Sequence, residues 1–186
     1  MKILKVRSIE KVVVGDYPFA EQLRNELVPL LENFDMLKDV GHTNVKAVHT
    51  GWQWEKDNWH VKKLKRFICN EIRNNYPPMN DLSDIGERDL LCNDMWANIY
   101  NKGDYADSHN HRPAYYSFVY FLKTKWYNSS LIFSDSGQKV RPKEGRYVIF
   151  SAQTFHHVPK HKFDDTRITL AGNYIVSEKP YSGGLG

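Results

Sequence analysis

The sequence has few cysteines and no long apolar run. Cys69 and Cys92 are its two cysteines among 186 residues, too few for a disulfide framework or a four-thiolate zinc site. No stretch approaches the roughly 18 apolar residues of a membrane-spanning helix, and the mean hydropathy is −0.61. Charged side chains in residues 1–7 occupy the place where a secretory signal peptide has an apolar segment. We therefore expect a chain with no membrane partner, in a reducing, cytoplasmic setting.

Neither sign of charge dominates. The 26 basic and 22 acidic residues give a net charge of +4, which does not require a nucleic-acid partner. The densest basic run, 60–66, is typical of the solvated face of an amphipathic helix. Together with Trp52, Trp54 and Trp59 it could also line a groove for a single strand. Packing of the helical half onto a sheet is the preferred interpretation, so nucleic acid is not the expected partner.

The chain divides into a helical first half and a strand-rich second half. Apolar residues recur at helical spacing from about residue 18 and again over 59–75, whereas 79–90 reads as a polar loop. The helical stripes consist of Phe19, Leu23, Leu27, Leu30 and Leu31, then Val61, Leu64, Phe67, Ile68 and Ile72. The predicted strands are 2–7, 11–14, 95–100, 115–122, 130–134, 146–150 and 167–176.

This pattern predicts a mainly β fold with flanking helices (α+β). Short strands at such spacing, rich in aromatic residues, suggest a small sandwich or jelly roll with the helices packed on its outer face. We expect one domain over residues 1–186. Within it, 1–90 would be a helical support region, 91–176 the β core and 177–186 a flexible tail.

Histidines cluster in the second half of the chain. His109 and His111 are two residues apart, a spacing that directs both side chains to one side of a strand. His156 follows a later predicted strand and could supply a third ligand. Three such ligands occupy one face of an octahedron and leave positions open for substrate or O₂, as in non-haem Fe(II) sites. Imidazole also suits zinc, copper and nickel, so these residues alone do not select the metal.

Arg167 and Thr169 lie on one face of the last predicted strand. A guanidinium can bind a carboxylate through two hydrogen bonds, and a hydroxyl can add a third. A dicarboxylate that chelates the metal would need such a partner at its far end. The alternative interpretation of Arg167 is a surface arginine on a strand.

Taken together, these segments resemble the 2-oxoglutarate- and Fe(II)-dependent oxygenases, in particular the small prolyl-hydroxylase-like members found in marine phages. The resemblance covers about residues 94–175. The ordered segments are Trp96–Tyr100, Gly103, His109-x-His111, Ser117–Leu122, Leu131–Asp135, Pro142 to Phe150, His156-His-Val-Pro159 and Arg167–Asn173. The resemblance implies a double-stranded β-helix, a jelly roll also seen in cupins.

The resemblance also implies individual roles. His109 and His156 would bind Fe(II), with His157 pointing elsewhere. Arg167 would bind the distal carboxylate of 2-oxoglutarate with help from Thr169. Tyr100 would contact the same co-substrate. The implied activity is a dioxygenase that hydroxylates a peptidyl, prolyl-type substrate or another small substrate.

Two positions depart from the family pattern. The usual motif is His-x-Asp, and here the third position is His111, which would make a three-histidine site. Alternatively, His111 does not bind the metal, and the third position is empty or is filled by Asp107 or Asp135. The second departure is Phe121, where prolyl hydroxylases carry a tyrosine that contacts the co-substrate.

Two other functions compete with the oxygenase. A cupin-like metalloprotein would use the three histidines without 2-oxoglutarate and would have no use for Arg167. A non-enzymatic viral binding or structural module would keep the fold and bind no metal.

Overall fold

Two helices and eleven strands make up the part of the chain that the computed structural model describes, residues 10–33, 44–54, 56–76 and 88–178. The helices are α1 (Ala20–Glu32) and α2 (Trp59–Asn75). The strands are β1 (Val12–Asp16), β2 (Val45–Lys46), β3 (Val48–His49), β4 (Arg88–Tyr100), β5 (Tyr105–His109), β6 (Tyr116–Lys123), β7 (Leu131–Phe133), β8 (Lys139–Val140), β9 (Arg146–Ser151), β10 (His156–Val158) and β11 (Arg167–Glu178).

Some sequence predictions fall outside these residues. The strand predicted at 2–7, most of the loop predicted at 79–90 and most of the tail predicted at 177–186 lie there. The loop prediction is wrong at its end, because β4 already begins at Arg88. Neither described helix is long and apolar enough to cross a membrane.

The strands form two antiparallel sheets. The larger sheet has the order β1-β9-β6-β11-β4-β3, and the smaller has the order β2-β5-β10-β7-β8. Apolar residues from both sheets meet in one buried cluster, which includes Trp96 and Phe150 of the larger sheet and Phe133 and Val158 of the smaller. The predicted mainly β, jelly-roll architecture is confirmed.

The larger sheet is buried on both faces. Successive side chains of a strand point to opposite sides, so each strand contributes to both faces. Its outer face packs against both helices, as predicted. α2 begins and ends where the periodicity predicts, after Asn58, whose side chain accepts hydrogen bonds from the backbone of the first turn. The predicted stripe of α1 is partly wrong, since Leu23, Leu27 and Leu31 are buried but Phe19 and Leu30 are exposed.

The inner face of the larger sheet carries polar side chains among its apolar ones. On β4, Asn98 lies between the inward-facing Trp96 and Tyr100. On β11, Arg167 pairs in register with Tyr100, and Thr169 pairs with Asn98. These side chains therefore lie in the space between the sheets, where buried polar groups need partners.

Candidate metal centre

Three histidines converge at the smaller sheet. His109 ends β5 and pairs in register with His156, the first residue of β10. His111 follows two residues after His109, and its backbone N–H donates to the carbonyl of Ala152 (2.7 Å). The strand pairing and this hydrogen bond bring together side chains that are 45 residues apart in the sequence.

The spacing of the three rings suits a metal ion. One ligand atom from each histidine lies within 4.8 Å of the others, and the Nε2 atoms of His111 and His156 are 3.3 Å apart. With metal–nitrogen bonds of about 2.1 Å, neighbouring ligands are separated by about 3.0 Å in an octahedron and about 3.4 Å in a tetrahedron. The His111–His156 pair therefore already has the spacing of two metal ligands, and His109 lies within reach of the same point.

Backbone hydrogen bonds orient two of the imidazoles. Nδ1–H of His109 donates to the carbonyl of Asp107 (2.6 Å), and Nδ1–H of His156 donates to the carbonyl of Thr154 (3.0 Å). Such a bond leaves the Nε2 lone pair free as a ligand and fixes the ring orientation. These are the outer contacts that metal-binding histidines ordinarily have.

All three imidazoles are held in the neutral, metal-binding form. Burial, followed by the neighbouring histidines, lowers the pKa of His111 to about 2. Burial, followed by His109, lowers the pKa of His156 to about 3. Burial also lowers the pKa of His109. A protonated imidazole cannot bind a metal, so the low pKa values favour binding at neutral pH.

Arg167 is a buried cation that lacks a carboxylate partner among the described residues. Its side chain is 1% exposed, and neither Nε nor Nη1 has a hydrogen-bond partner. Its guanidinium carbon lies 4.6 Å from the ring centre of Tyr100 and 5.4 Å from that of Phe121. Burial lowers the pKa of Arg167, and the Tyr100 hydroxyl offsets part of this effect. An unpaired buried charge is costly, which indicates that the site is built for an anion.

The other predicted residues fall into two groups. Thr169 and Tyr100 lie beside Arg167 on the inner face, together with Phe121, which pairs in register with Thr169. The remaining candidates lie elsewhere. Asp107 and Asp135 are exposed and do not belong to the three-histidine group.

His157 points away from the triad, as the resemblance implied. Its Nδ1 is 3.0 Å from the hydroxyl of Ser134. The residue alternates with His156 along β10, so the two imidazoles point to opposite sides of the strand.

A cavity of about 580 Å³ opens beside His109 and His111. Sequence reasoning missed three of its lining residues, His49, Asp94 and Asn173. It also missed Asn98, a buried residue on the inner face whose Oδ1 lacks a partner. The sequence could have identified Asn98, because residues 96, 98 and 100 share one face of a strand. Asn98 is a polar residue between Trp96 and Tyr100 on that apolar face.

The basic and aromatic groove, which the sequence left as the less favoured alternative, does not form as one surface. Trp52 lines the cavity, and Trp54 packs against the core beneath the helices. Trp59 is exposed at the start of α2. The three indoles therefore occupy three different environments.

Comparison with known proteins gave structural matches only. No protein-family model and no curated protein matches the chain. A prolyl-4-hydroxylase from Pseudomonas putida is 17% identical, with a TM-score of 0.67 over 89% of this chain and 92% of that one. A viral collagen prolyl hydroxylase from Paramecium bursaria Chlorella virus-1, solved with 2-oxoglutarate, is 13% identical, with a TM-score of 0.61 over 88% and 94%.

A third match is a prolyl hydroxylase from Trichoplax adhaerens in complex with a hypoxia-inducible-factor peptide fragment. It is 13% identical, with a TM-score of 0.60 over 88% of this chain and 83% of that one. Each of the three matches covers most of both chains with a TM-score of 0.60 or more. The chain therefore has the double-stranded β-helix fold of the 2-oxoglutarate- and Fe(II)-dependent oxygenases.

Proposed function

We propose that this protein is a 2-oxoglutarate- and Fe(II)-dependent dioxygenase that hydroxylates a peptidyl substrate. The observation that carries the proposal is Arg167, a fully buried guanidinium with two unpartnered nitrogens. It projects from the larger sheet into the interior that the histidine triad faces from the smaller sheet. A metal site and a buried cation in one interior suit a dicarboxylate that binds both.

The roles of the residues follow from their positions. His109, His111 and His156 would hold Fe(II) on one face, with the backbone carbonyls of residues 107 and 154 fixing two of the rings. Arg167 would bind the distal carboxylate of 2-oxoglutarate. Thr169 and Tyr100, beside it, would add hydroxyl hydrogen bonds.

The apolar surroundings would strengthen these contacts. Tyr100 and Phe121 exclude water from the guanidinium, and a charged hydrogen bond is stronger in a dry interior than in water. Bound Fe(II) and 2-oxoglutarate would supply the activation of O₂ that no side chain can provide. The protein contributes binding, orientation and the exclusion of water.

A peptidyl substrate is supported by two observations. The cavity at His109 and His111 is open to solvent and large enough for an amino-acid side chain with adjoining backbone. The Trichoplax neighbour binds a peptide fragment. The two cysteines, Cys69 and Cys92, form no disulfide bond, which supports a reducing, cytoplasmic location. The resemblance to phage enzymes supports a host cytoplasm as that location.

Anaerobic titration of the metal-free protein with Fe(II) and 2-oxoglutarate tests the proposal. We expect the weak visible charge-transfer band of the chelate in the wild type and a much weaker band in Arg167→Ala. Arg24→Ala, which changes an arginine on the protein surface, is the matched control. Metal binding without a band would contradict the use of 2-oxoglutarate.

A cupin-like metalloprotein is the second candidate. It is favoured by the donor set itself, because three neutral imidazoles leave more positive charge on the metal than two imidazoles and a carboxylate. Such a protein would retain its activity in Arg167→Ala. A non-enzymatic module would instead bind no stoichiometric metal and would tolerate His109→Ala and His156→Ala without loss of function.

A further inference from the structure

The cavity beside the triad has an aromatic wall. His49, Trp52 and Trp96 are in mutual contact, with ring centres 4.8 Å (His49–Trp52), 4.7 Å (Trp52–Trp96) and 5.6 Å (His49–Trp96) apart. Trp96 also lies 5.8 Å from His111. The wall therefore begins at the metal centre and extends away from it.

The backbone holds this wall in place. The backbone N–H of Met95 donates to the carbonyl of Trp52 (2.8 Å), and Thr50 is hydrogen-bonded to Ala97 through both its backbone and its hydroxyl. His49 pairs in register with Asn98. Trp52 is nonetheless 44% exposed. A large indole fixed at the rim of a cavity and open to solvent is suited to contact a ligand.

A β-bulge brings an acid to the same cavity. Asn173 of β11 pairs with Asp94, and the next residue, Tyr174, pairs with Cys92, so Asn93 is the extra residue of β4. Bulges re-aim side chains, often next to active sites. Here both Asn93 and Asp94 line the cavity, beside Trp52 and Trp96.

Among the described residues, Asp94 is the single acidic one that lines the cavity. No cation among the described residues forms an ion pair with it. The basic lining residue Arg112 donates to the side chain of Gln153 (3.1 Å), which is a neutral partner. Asp94 is the charged lining residue that lies on the same strand as Trp96, two residues away from it.

His49 adds a second unsatisfied group. It is 6% exposed, and neither of its ring nitrogens has a hydrogen-bond partner. Burial lowers the pKa of His49 and outweighs the opposing effect of the Thr50 backbone, so the ring is neutral and carries one nitrogen lone pair that can accept a hydrogen bond. A buried polar side chain with no partner, in the wall of a cavity, indicates a ligand or water that completes it.

These features select one kind of ligand. Indole faces attract cations more strongly than other aromatic rings do, a carboxylate pairs with a cation, and a neutral imidazole accepts from an N–H donor. We propose that the cavity binds a cationic side chain of the substrate, of the lysyl or arginyl class, between the indole of Trp52 and the carboxylate of Asp94. This proposal rests on the proposed function, because it names the substrate class of that same site.

The cationic group would not lie at the metal itself. Trp96 contacts both Trp52 and His111, so it would separate the cationic group from the triad. The carbon that reacts would then belong to a neighbouring part of the same peptide, nearer His109 and His111. The charged group would serve for recognition, and the metal centre would act on a different position.

Binding of three blocked peptides, acetyl-Ala-X-Ala-amide with X as lysine, norleucine or glutamate, tests the proposal. Calorimetry on the Mn(II)- and 2-oxoglutarate-loaded protein, and on the metal-free protein, measures binding without turnover. We expect the lysine peptide to bind about tenfold more tightly than the norleucine peptide. Asp94→Asn should remove that preference, whereas Asp164→Asn, which changes an exposed acid far from the cavity, should preserve it.

Three outcomes would overturn the proposal. One is a lysine preference that survives in Asp94→Asn. Another is binding of the glutamate peptide in preference to the others, with loss of that preference in Arg112→Gln. The third is the absence of measurable binding by any peptide.

The charge-transfer titration separates this proposal from the proposed function. A lysine preference without a band would leave the cation site valid and the reaction wrong. A band without a lysine preference would leave the reaction valid and the cation site wrong.

Discussion

The Nε2 atoms of His111 and His156 lie 3.3 Å apart, at a place where β10 and the segment after β5 meet. No acidic side chain takes part in the group of potential ligands that the described residues form around them. The first two predictions follow from this arrangement.

Replacement of His156 by alanine should greatly weaken metal binding. The change removes the buried imidazole that we propose as a ligand on β10, and loss of even an outer contact of a metal ligand costs about 10- to 100-fold in affinity. We expect a loss of at least about 100-fold, measured by anaerobic calorimetry with Fe(II) or Co(II). His157→Ala, one residue along the strand and bonded to Ser134, is the control. Equal effects of the two changes would contradict the assignment.

Replacement of His111 separates a ligand from a bystander. His111→Asp supplies the carboxylate of the usual family motif, and we expect it to retain metal binding. His111→Phe keeps a ring in contact with Trp96 but has no donor atom, and should weaken binding by at least about tenfold. The same calorimetric titration measures both. Unchanged affinity in His111→Phe would show that His111 is not a ligand.

Removal of the buried charge at Arg167 should affect stability and binding in opposite ways. In Arg167→Met an apolar chain replaces a guanidinium between Tyr100 and Phe121. A buried charge without a partner is destabilising, so the ligand-free variant should melt at the same temperature as the wild type or higher. Loss of a charged hydrogen bond worth about 2 kcal/mol should weaken 2-oxoglutarate binding about 30-fold.

Thermal melts with and without 2-oxoglutarate measure both effects of this change. Arg24→Met, at a surface ion pair with Glu144, should alter neither quantity by much. A large drop in the melting temperature of ligand-free Arg167→Met would indicate that Arg167 has a structural role instead.

The thiol of Cys92 should react slowly at neutral pH. Burial raises its pKa to about 11, and a raised thiol pKa keeps the unreactive, protonated form over a wider pH range. At pH 7.5 the thiolate fraction would be about 300-fold below that of an ordinary thiol with a pKa of about 8.5. In Cys69→Ser, the rate of alkylation should rise about tenfold per unit from pH 7 to 9 without a plateau. A plateau below pH 9 would contradict this, and the protein unfolded in urea provides the reference profile.

The periodic elements were predictable from sequence, and the irregular ones were not. α2 has four buried residues at helical spacing and Asn58 as its cap, so its limits follow from local sequence. β5 and β10 have five and three residues and many polar side chains, and their pairing joins distant parts of the chain. No local pattern predicts such pairing.

The residues of the candidate site likewise include some that the sequence predicts and some that it does not. The two-residue spacing of His109 and His111, and that of Arg167 and Thr169, could be read directly from the sequence. The bulge at Asn93 could not be, because it depends on the pairing of β4 with β11. Asp94 and His49 were therefore missed, since their position at the cavity follows from the bulge and from the short strand β3.

The two halves of the proposed ligand site belong to different sheets. The triad is carried by β5, β10 and the segment after β5, whereas Arg167 and Tyr100 are carried by β11 and β4. A dicarboxylate bound at both ends would cross-link the two layers through the interior. Its binding energy would then oppose separation of the layers, so amide hydrogen exchange should slow on ligand binding in β2 and β8, the edge strands of the smaller sheet, as well as in β5 and β10, which carry the triad.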